Sequence, residues 1–424
     1  MTIAWARRTA FAGRTFSGSA FDRERWSRLA DVLAVALAIS LPWSTSATGI
    51  LAGLWLIVLV PTLDPQALRR VLATPAGGLP VLLWGLGLAG MLWADVSWAE
   101  RLNGLNPFHK LLCIPLLMVQ FQRSDRGPWL MAGFLGSCTL LLILSFALVT
   151  FPAIPWPNTV LRGVPVKNYA AQSELFTICV FLLAELAREY WLRGRRAVAL
   201  VAVVLSLAFL ANILFVATTR TSLVVIPIVL LLYGYRRLGW RGIAMALTAA
   251  VLAAALAWTF SPFLQKRVGG FMAEVHDYRS LNQRTSAGER LEFWRKSIGF
   301  ITHAPVLGHG TGTIRDQFRK AVVGETGASA VISANPHNQT LAVAIQLGLV
   351  GVAVLFAMWI AHLVQFRAVF LAAPLGIVVV VQNMIGSLFN SQLFDFTHGW
   401  AYVIGVGVAG GMMLRAGVTE NSQA

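Results

Sequence analysis

The sequence predicts an all-α polytopic membrane protein with about twelve transmembrane helices and one large, mostly helical loop on the outer face. Hydrophobic residues make up 57% of the 424 residues and charged residues 12%, which is half of the roughly 25% that a soluble domain carries. The mean hydropathy is +0.68. About a dozen apolar runs of roughly 15–24 residues continue to the C-terminus, each near the length that crosses a hydrocarbon core about 30 Å thick.

These features exclude several classes of protein. Apolar runs along the whole chain exclude a signal peptide followed by a soluble enzyme. Cys113, Cys138 and Cys179 lie in or beside apolar runs, so a disulfide scaffold is excluded as well. No His, Cys, Asp and Glu residues show metal-ligand spacing, and no Asp-rich pair is typical of a metal-held pyrophosphate. We expect membrane lipids around the chain, and no metal, cofactor or nucleic acid.

The Lys and Arg residues between the spans predict the orientation, because cytoplasmic loops carry the excess. With the N-terminus inside, every short inside loop is basic, whereas the outer connections near 45–48 and 388–395 contain no Lys or Arg. This charge distribution predicts twelve spans with both termini inside. The predicted spans are 30–46, 47–62, 79–95, 110–122, 129–151, 170–187, 197–217, 221–235, 242–261, 339–362, 368–387 and 396–414. The resulting divisions are an N-terminal arm at 1–28, spans at 29–261, an outer segment at 262–338, spans at 339–415 and a tail at 416–424.

The outer segment 262–338 is basic, with ten cations against six acids, a net charge of +4. Long translocated segments largely escape the positive-inside rule, so this charge needs another reason. Contact with lipid phosphates explains any single outer cation, but the group favours an anionic substrate on the outer face. Further outer cations are Arg101, Lys110, Arg162, Lys167 and Arg220.

A capping box at Ser286-Ala287-Gly288-Glu289 predicts a helix that starts at Ser286. Glu292 can pair with the cations three and four residues later, on a solvated face. Arg290 is left over in the first turn, where the helix dipole disfavours a cation. A bound phosphate would reverse that penalty; the alternative is that Arg290 bonds to loop carbonyls or to Glu289.

The stretch Asn335-Pro336-His337-Asn338 opens the tenth span, with Asn335 as the expected N-cap and Pro336 at the first helical position. His337 would then lie in the first turn. There the positive end of the dipole lowers its pKa and keeps the imidazole neutral, as a general base requires. The alternative is an interfacial histidine bonded to headgroups or to Asn338.

Polar residues also precede two other spans. Arg220 lies in a tight, hydroxyl-rich turn, Thr218 to Ser222, which holds the guanidinium at the membrane surface; a snorkelling interfacial arginine is the alternative. Arg162, Lys167 and Asn168 form a similar cluster ahead of the sixth span. Glu174 lies about one turn into that span, where ionisable groups are usually functional, unless it pairs with Lys167.

The glycine-rich stretch at 308–312 is similar to a phosphate-cradling loop, but no strand precedes it and no Lys-Ser/Thr pair ends it. We interpret it as a tight turn that lets the backbone approach another element.

Together these motifs resemble the O-antigen ligase and polymerase family of bacterial envelope enzymes. The resemblance covers about residues 160 to 345, and Thr219 stands where the family often has Ser. The matching pieces, in the family's order, are Thr219-Arg220-Thr221, Gly288-Glu289-Arg290-Leu291-Glu292-Phe293-Trp294, Leu307-Gly308-His309-Gly310-Thr311-Gly312 and Pro336-His337-Asn338.

The resemblance implies a GT-C-like, metal-independent transferase of the bacterial inner membrane, with its site facing the periplasm. Its donor is a glycan on undecaprenyl pyrophosphate. The acceptor is a lipid A-core sugar hydroxyl in the ligase, a second carrier-linked repeat in the polymerase, and a protein Ser or Thr in related oligosaccharyltransferases. In this hypothesis Arg220 and Arg290 bind the pyrophosphate and His337 is the general base. Further substrate contacts are expected from Arg162, Lys167, Asn168 and Asn338.

The short outer segment at 152–170 favours the ligase, since polymerases more often carry a second large periplasmic loop. A transporter of lipid-linked glycans is the alternative of a different class. It would show cations at mid-span, discontinuous helices in two related halves and internal repeats. The notable cations here lie at span ends, and the sequence shows no evident repeat.

Overall fold

The structure is a computed structural model that describes residues 22–156, 162–260, 262–367 and 372–421. Within these residues it is all helical and contains no strand. Most of the predicted N-terminal arm and the end of the predicted tail lie outside the described residues. The α-helices are α1 (Arg23–Ser40), α2 (Thr45–Leu59), α3 (Pro65–Leu72), α4 (Pro75–Ala89), α5 (Trp98–His109), α6 (Cys113–Arg123), α7 (Gly127–Thr150), α8 (Tyr169–Leu192), α9 (Arg196–Phe215), α10 (Arg220–Leu238), α11 (Trp240–Phe260), α12 (Pro262–Leu281), α13 (Ser286–His303), α14 (Ile314–Ala321), α15 (Gln339–Gln365), α16 (Ala372–Gly386) and α17 (Phe396–Asn421).

Seven of the described helices are long and apolar enough to cross a membrane: α2 with the turn that follows it, α7, α8, α9, α10, α11 and α15. The pair α3 and α4 passes the same test together, although it is bent by 85°. The apolar α16 has only 15 residues. The prediction of an all-helical, multi-pass protein is confirmed, whereas the count of twelve spans and the orientation stay predictions.

The chain between α2 and α7 differs from the predicted pattern of spans. The predicted span 79–95 corresponds to α4, which ends at Ala89. Asp64 and Thr74 cap α3 and α4, and a proline follows each cap at the first helical position, so two separate helices begin close together. The predicted span 110–122 is the 11-residue α6, shorter than the about 20 residues that a straight span needs.

Helix α15 is broken at Gly348, where φ is 60° and ψ is −161°. The glycine turn at 308–312 fills the break, because the N–H groups of His309 and Gly310 donate at 2.8 and 2.9 Å to α15 carbonyls that the break leaves without helical partners. Lipid cannot supply such bonds. A Cβ at Gly308 or Gly348 would lie 2.2–2.5 Å from backbone atoms. The interpretation of this turn as a close backbone approach is confirmed.

The segment 262–338 is helical, as expected, and contains α12, α13 and α14. Helix α13 begins at Ser286 as predicted, but its N-cap is Thr285, whose Oγ1 accepts the Gly288 N–H at 3.0 Å. The predicted capping box is wrong, because Glu289 turns away from the cap and pairs with Arg284 at 2.8 Å.

Glu292 forms the two predicted pairs along α13, with Arg295 at 2.6 Å and Lys296 at 3.5 Å. The face that carries it is buried, contrary to the prediction, since Glu292 is only 2% exposed. Burial would raise the pKa of Glu292, but hydrogen bonds from Arg295 and Tyr278 lower it to about 2. This carboxylate therefore fixes α13 against its neighbours.

Candidate functional site

His337 lies just before α15 and not inside it. The N-cap of α15 is Asn338, whose Oδ1 accepts the Leu341 N–H at 3.1 Å. The prediction of Asn335 as the cap, with His337 in the first turn, is therefore wrong. Asn335 instead forms an Asx turn, in which its Oδ1 accepts the His337 N–H at 2.8 Å, an alternative to the helix that Asn side chains offer the backbone. His337 has a φ of 53°, which is uncommon outside glycine.

The imidazole of His337 is half-buried and held from two sides. Its Nδ1 lies 3.1 Å from Asn390 Oδ1, and its ring stacks on Phe293 with 6.2 Å between centroids and 19° between planes. The Asn335 amide also donates to Asn390 Oδ1, at 3.3 Å. Because this oxygen is an acceptor in both contacts, Nδ1 carries the proton of the neutral ring and Nε2 carries the lone pair.

Burial lowers the pKa of His337 below its ordinary value, and the positive charge of Arg290 lowers it further. The imidazole is therefore neutral at pH 7, as the sequence predicted. The cause differs from the predicted one, because His337 precedes α15 and its neutrality comes from burial and a neighbouring cation. A neutral imidazole with an Nε2 lone pair can accept a proton from a hydroxyl group.

Arg220 and Arg290 lie near the N-terminal ends of α10 and α13. Arg220 is the first residue of α10, which Thr219 caps by accepting the Ser222 N–H at 2.9 Å. Arg290 is half-buried, and its pKa is lowered by burial and by the charge of Arg220. Within the described residues, no hydrogen bond or ion pair reaches its guanidinium. The expected bond to Glu289 is not formed, so Arg290 can bind an anion.

Glu274 of α12 lies between these cations and the start of α13. Its Oε1 pairs with Arg220 at 2.9 Å, and its Oε2 accepts the Ala287 N–H at 2.9 Å. A carboxylate thus occupies the N-terminus of α13, where backbone N–H groups favour negative charge. The negative charge of Glu274 also acts on Arg290. Arg220, Arg290 and the start of α13 are therefore the candidate anion site, which holds an internal carboxylate.

The same part of the chain resembles known proteins. Residues 201–356 match a family model described as O-antigen ligase. This region is therefore similar to the O-antigen ligase family. It contains Arg220, Arg290 and His337, and the family's members are glycosyltransferase-like enzymes of O-antigen and glycan processing.

The chain is also similar to an uncharacterized protein of Haemophilus influenzae (strain ATCC 51907 / DSM 11121 / KW20 / Rd). It is 25% identical over 257 residues, which cover 58% of this chain and 61% of the relative. The chain therefore spans less than two thirds of the length of that relative.

Arg162, Lys167 and Asn168, which precede the matched region, do not form one cluster. Arg162 is exposed and donates to a carbonyl near the end of α7 at 3.2 Å. Lys167 donates to the carbonyl that follows α1 and to the Thr397 hydroxyl. Asn168 caps α8 by accepting an N–H at 2.8 Å. These residues, like Asn338, make contacts within the fold, and their contacts with substrate stay predictions.

Glu174 belongs to a buried charged network and does not pair with Lys167. Its Oε2 lies 3.3 Å from His398 Nε2, and His398 Nδ1 lies 2.6 Å from Asp395 Oδ1. The network joins α8 and α17 to the loop at 387–395, which also carries Asn390. The Glu174 carboxylate therefore helps to hold the loop that orients His337.

The roles of Asn390 and Glu274 were missed by the sequence analysis. Asn390 lies 53 positions after His337, beyond the residues matched by the O-antigen ligase model, so no local spacing joins them. In the sequence, Glu274 is one of six acidic residues in the basic segment 262–338, and no local pattern links it to Arg220. Within the described residues, no group of three or more His, Cys, Asp or Glu side chains is placed to hold a metal ion.

Proposed function

We propose that the protein is an O-antigen ligase of the bacterial inner membrane. It transfers O-antigen polysaccharide from undecaprenyl pyrophosphate to a sugar hydroxyl of lipid A-core at the periplasmic face. One observation supports the proposal: within a region that matches the O-antigen ligase family, the imidazole of His337 offers its Nε2 lone pair beside Arg290, whose own neighbour is the cation Arg220. A base next to an anion site is what glycosyl transfer from a pyrophosphate requires.

In this reaction the acceptor hydroxyl loses its proton to His337 Nε2. Its oxygen forms a bond to the anomeric carbon of the donor as the bond from that carbon to the pyrophosphate oxygen breaks. The electron pair leaves with the pyrophosphate, and Arg220 and Arg290 stabilise the negative charge that develops there. The two guanidinium groups supply the positive charge, so we propose a metal-independent reaction. A single displacement inverts the anomeric configuration, and a retained configuration would contradict this scheme.

The donor must compete with Glu274 for the anion site. The carboxylate already pairs with Arg220 and accepts an N–H of α13, and these are the groups that a phosphate would contact. A pyrophosphate carries more negative charge than one carboxylate and can contact both arginines with bidentate hydrogen bonds. We propose that donor binding displaces the Glu274 side chain from Arg220.

The test is transfer by the purified full-length protein with EDTA present, using undecaprenyl-pyrophosphate-linked O-antigen and lipid A-core. The wild type should attach O-antigen to lipid A-core, as seen by gel mobility and mass spectrometry. Arg220→Gln and Arg290→Gln should lower kcat/KM at least about 100-fold, the effect typical of lost transition-state charge stabilisation. Arg284→Gln is the matched control, because Arg284 is exposed and pairs with Glu289.

The product decides between the related activities. Longer carrier-linked chains without modified lipid A-core would identify a polymerase, and a glycosylated Ser or Thr would identify a protein oligosaccharyltransferase. Loss of transfer on addition of EDTA would contradict the metal-independent scheme. Full activity in both arginine variants would show that the anion site is assigned wrongly.

A further inference from the structure

A cavity of about 420 Å³ lies next to the loop that carries His337. Its volume is within the range of about 300–1,000 Å³ that is usual for small-molecule sites. Helix α5, the start of α14, the loop at 334–336 and the loop at 391–395 line it. The mechanism above makes no use of this cavity, since Arg220, Arg290 and Glu274 do not line it.

The wall of the cavity carries polar groups with unused hydrogen-bonding capacity. Asp395, Asn103 and Arg315 all line it, and in the described part of the chain no hydrogen bond reaches Asp395 Oδ2, the Asn103 amide or the Arg315 guanidinium. They comprise an acceptor, an amide that both donates and accepts, and a set of donors. The apolar residues Pro107 and Phe394 line the same cavity. This mixture suits a sugar ring, whose hydroxyls donate and accept while its C–H faces pack on apolar surface.

The charges of the cavity differ from those of the anion site. Glu100 and Asp395 line it together with one cation, Arg315, and the two carboxylates already contact Arg319 at 3.4 Å and His398 at 2.6 Å. The anion site instead has two cations around one carboxylate. A pyrophosphate would therefore meet fewer cations in the cavity than at the anion site. The two sites are therefore suited to different parts of the reaction, one to the pyrophosphate and one to an uncharged polyhydroxyl group.

Asn335 connects the cavity to His337. It lines the cavity, accepts the His337 N–H at 2.8 Å and donates to Asn390, the residue that holds the imidazole. Asn335 and His337 are two residues apart, which limits their separation along the chain to about 7 Å. The cavity therefore borders the loop segment that carries His337.

We propose that this cavity binds the terminal sugar of the acceptor and directs one of its hydroxyls toward His337. The proposal rests on the proposed function, because it assigns the second substrate of the same transfer reaction. Asn103, Arg315 and Asp395 bind the sugar hydroxyls and determine which acceptor is used.

The matched variants Asn103→Trp and Asn106→Trp test this assignment. Both asparagines are exposed on α5, but only Asn103 lines the cavity, so the first variant fills the cavity and the second does not. In the transfer assay Asn103→Trp should raise the KM for lipid A-core at least tenfold and leave the KM for the donor within twofold. Asn106→Trp should leave both within twofold. An unchanged acceptor KM in Asn103→Trp, or a raised donor KM, would overturn the proposal.

Binding of a lipid-free core oligosaccharide, followed by saturation-transfer NMR, separates this proposal from the proposed function. The wild type and Asn106→Trp should bind it, Asn103→Trp and Arg315→Ala should bind at least tenfold more weakly, and excess inorganic pyrophosphate should not displace it. Failure of the wild type to bind, or equal binding by all four proteins, would overturn the acceptor site. Specific oligosaccharide binding without any transfer would instead contradict the proposed function and leave the sugar site in place.

Discussion

Replacing Glu274 by Gln should tighten the binding of pyrophosphate to this protein. In the structure the carboxylate pairs with Arg220 at 2.9 Å, and the two side chains are 30% and 27% exposed. The change removes the competing negative charge while an amide oxygen remains to accept the Ala287 N–H. The cap of α13 should therefore survive, so the perturbation is confined to the anion site.

The magnitude follows from the ion pair that a phosphate must break. A partly exposed pair of this kind contributes about 0.5–1 kcal/mol, and every 1.4 kcal/mol is about tenfold in affinity. Glu274→Gln should thus lower the Kd for inorganic pyrophosphate by about two- to fivefold. The effect should shrink as salt is added, because screening weakens both the pair and the binding.

Titration calorimetry of the detergent-solubilised protein with inorganic pyrophosphate measures this effect at low ionic strength. Asp277→Asn is the matched control, since it removes one negative charge from the same helix but leaves the ion pair of Arg220 intact. Its Kd should remain within the error of the wild type. If both variants bind pyrophosphate equally more tightly than the wild type, the effect comes from the change in net charge and not from the ion pair. Weaker binding by Glu274→Gln would refute the competition between Glu274 and pyrophosphate for Arg220.

Four further results are expected. In Arg290→Gln the pKa of His337 should rise, because the variant removes a cation that lowers it; NMR of labelled histidine measures this, and Arg290→Lys should leave it low. Asn390→Ala should lower kcat more than it raises KM, since it removes the acceptor that fixes the His337 tautomer. Gly348→Ala should lower the Tm in detergent by several degrees, because its Cβ would lie 2.2 Å from a carbonyl oxygen. Glu292→Gln should lower the free energy of unfolding by about 2 kcal/mol at pH 7. The pKa of Glu292 is about 2 in the folded protein, against an ordinary 4.5. The stability difference between wild type and variant, measured by denaturation at several pH values, should therefore persist above pH 4.5 and vanish as the pH falls toward 2.

Local patterns in the sequence predicted those parts of the fold that depend on local physics. Apolar length located the long helices, and the spacing of glycines identified the turn at 308–312 as a close backbone approach. The same reasoning failed where two local signals compete. Asn335 forms an Asx turn with His337 and does not cap α15. The N-cap of α13 is Thr285 and not Ser286, because Glu289 pairs with Arg284 and does not complete the capping box.

The candidate site was predictable as a set of residue types but not as an arrangement. Arg220, Arg290 and His337 stood out because each is polar at the end of an apolar or helical run. Their partners did not, since Glu274 and Asn390 reach them only through the packing of distant helices. The neutrality of His337 was predicted with the wrong cause, because burial and a neighbouring cation depend on the tertiary structure.

Parallel measurements of transfer and of donor binding in His337→Ala separate the chemical step from binding. Single-turnover transfer of O-antigen to lipid A-core by this variant should fall by about 10²–10⁴-fold, the usual contribution of a general base. The Kd of the variant for the undecaprenyl-pyrophosphate donor, measured in parallel, should stay within about threefold of the wild type. Transfer at the wild-type rate by His337→Ala would show that this imidazole does not take the proton from the acceptor.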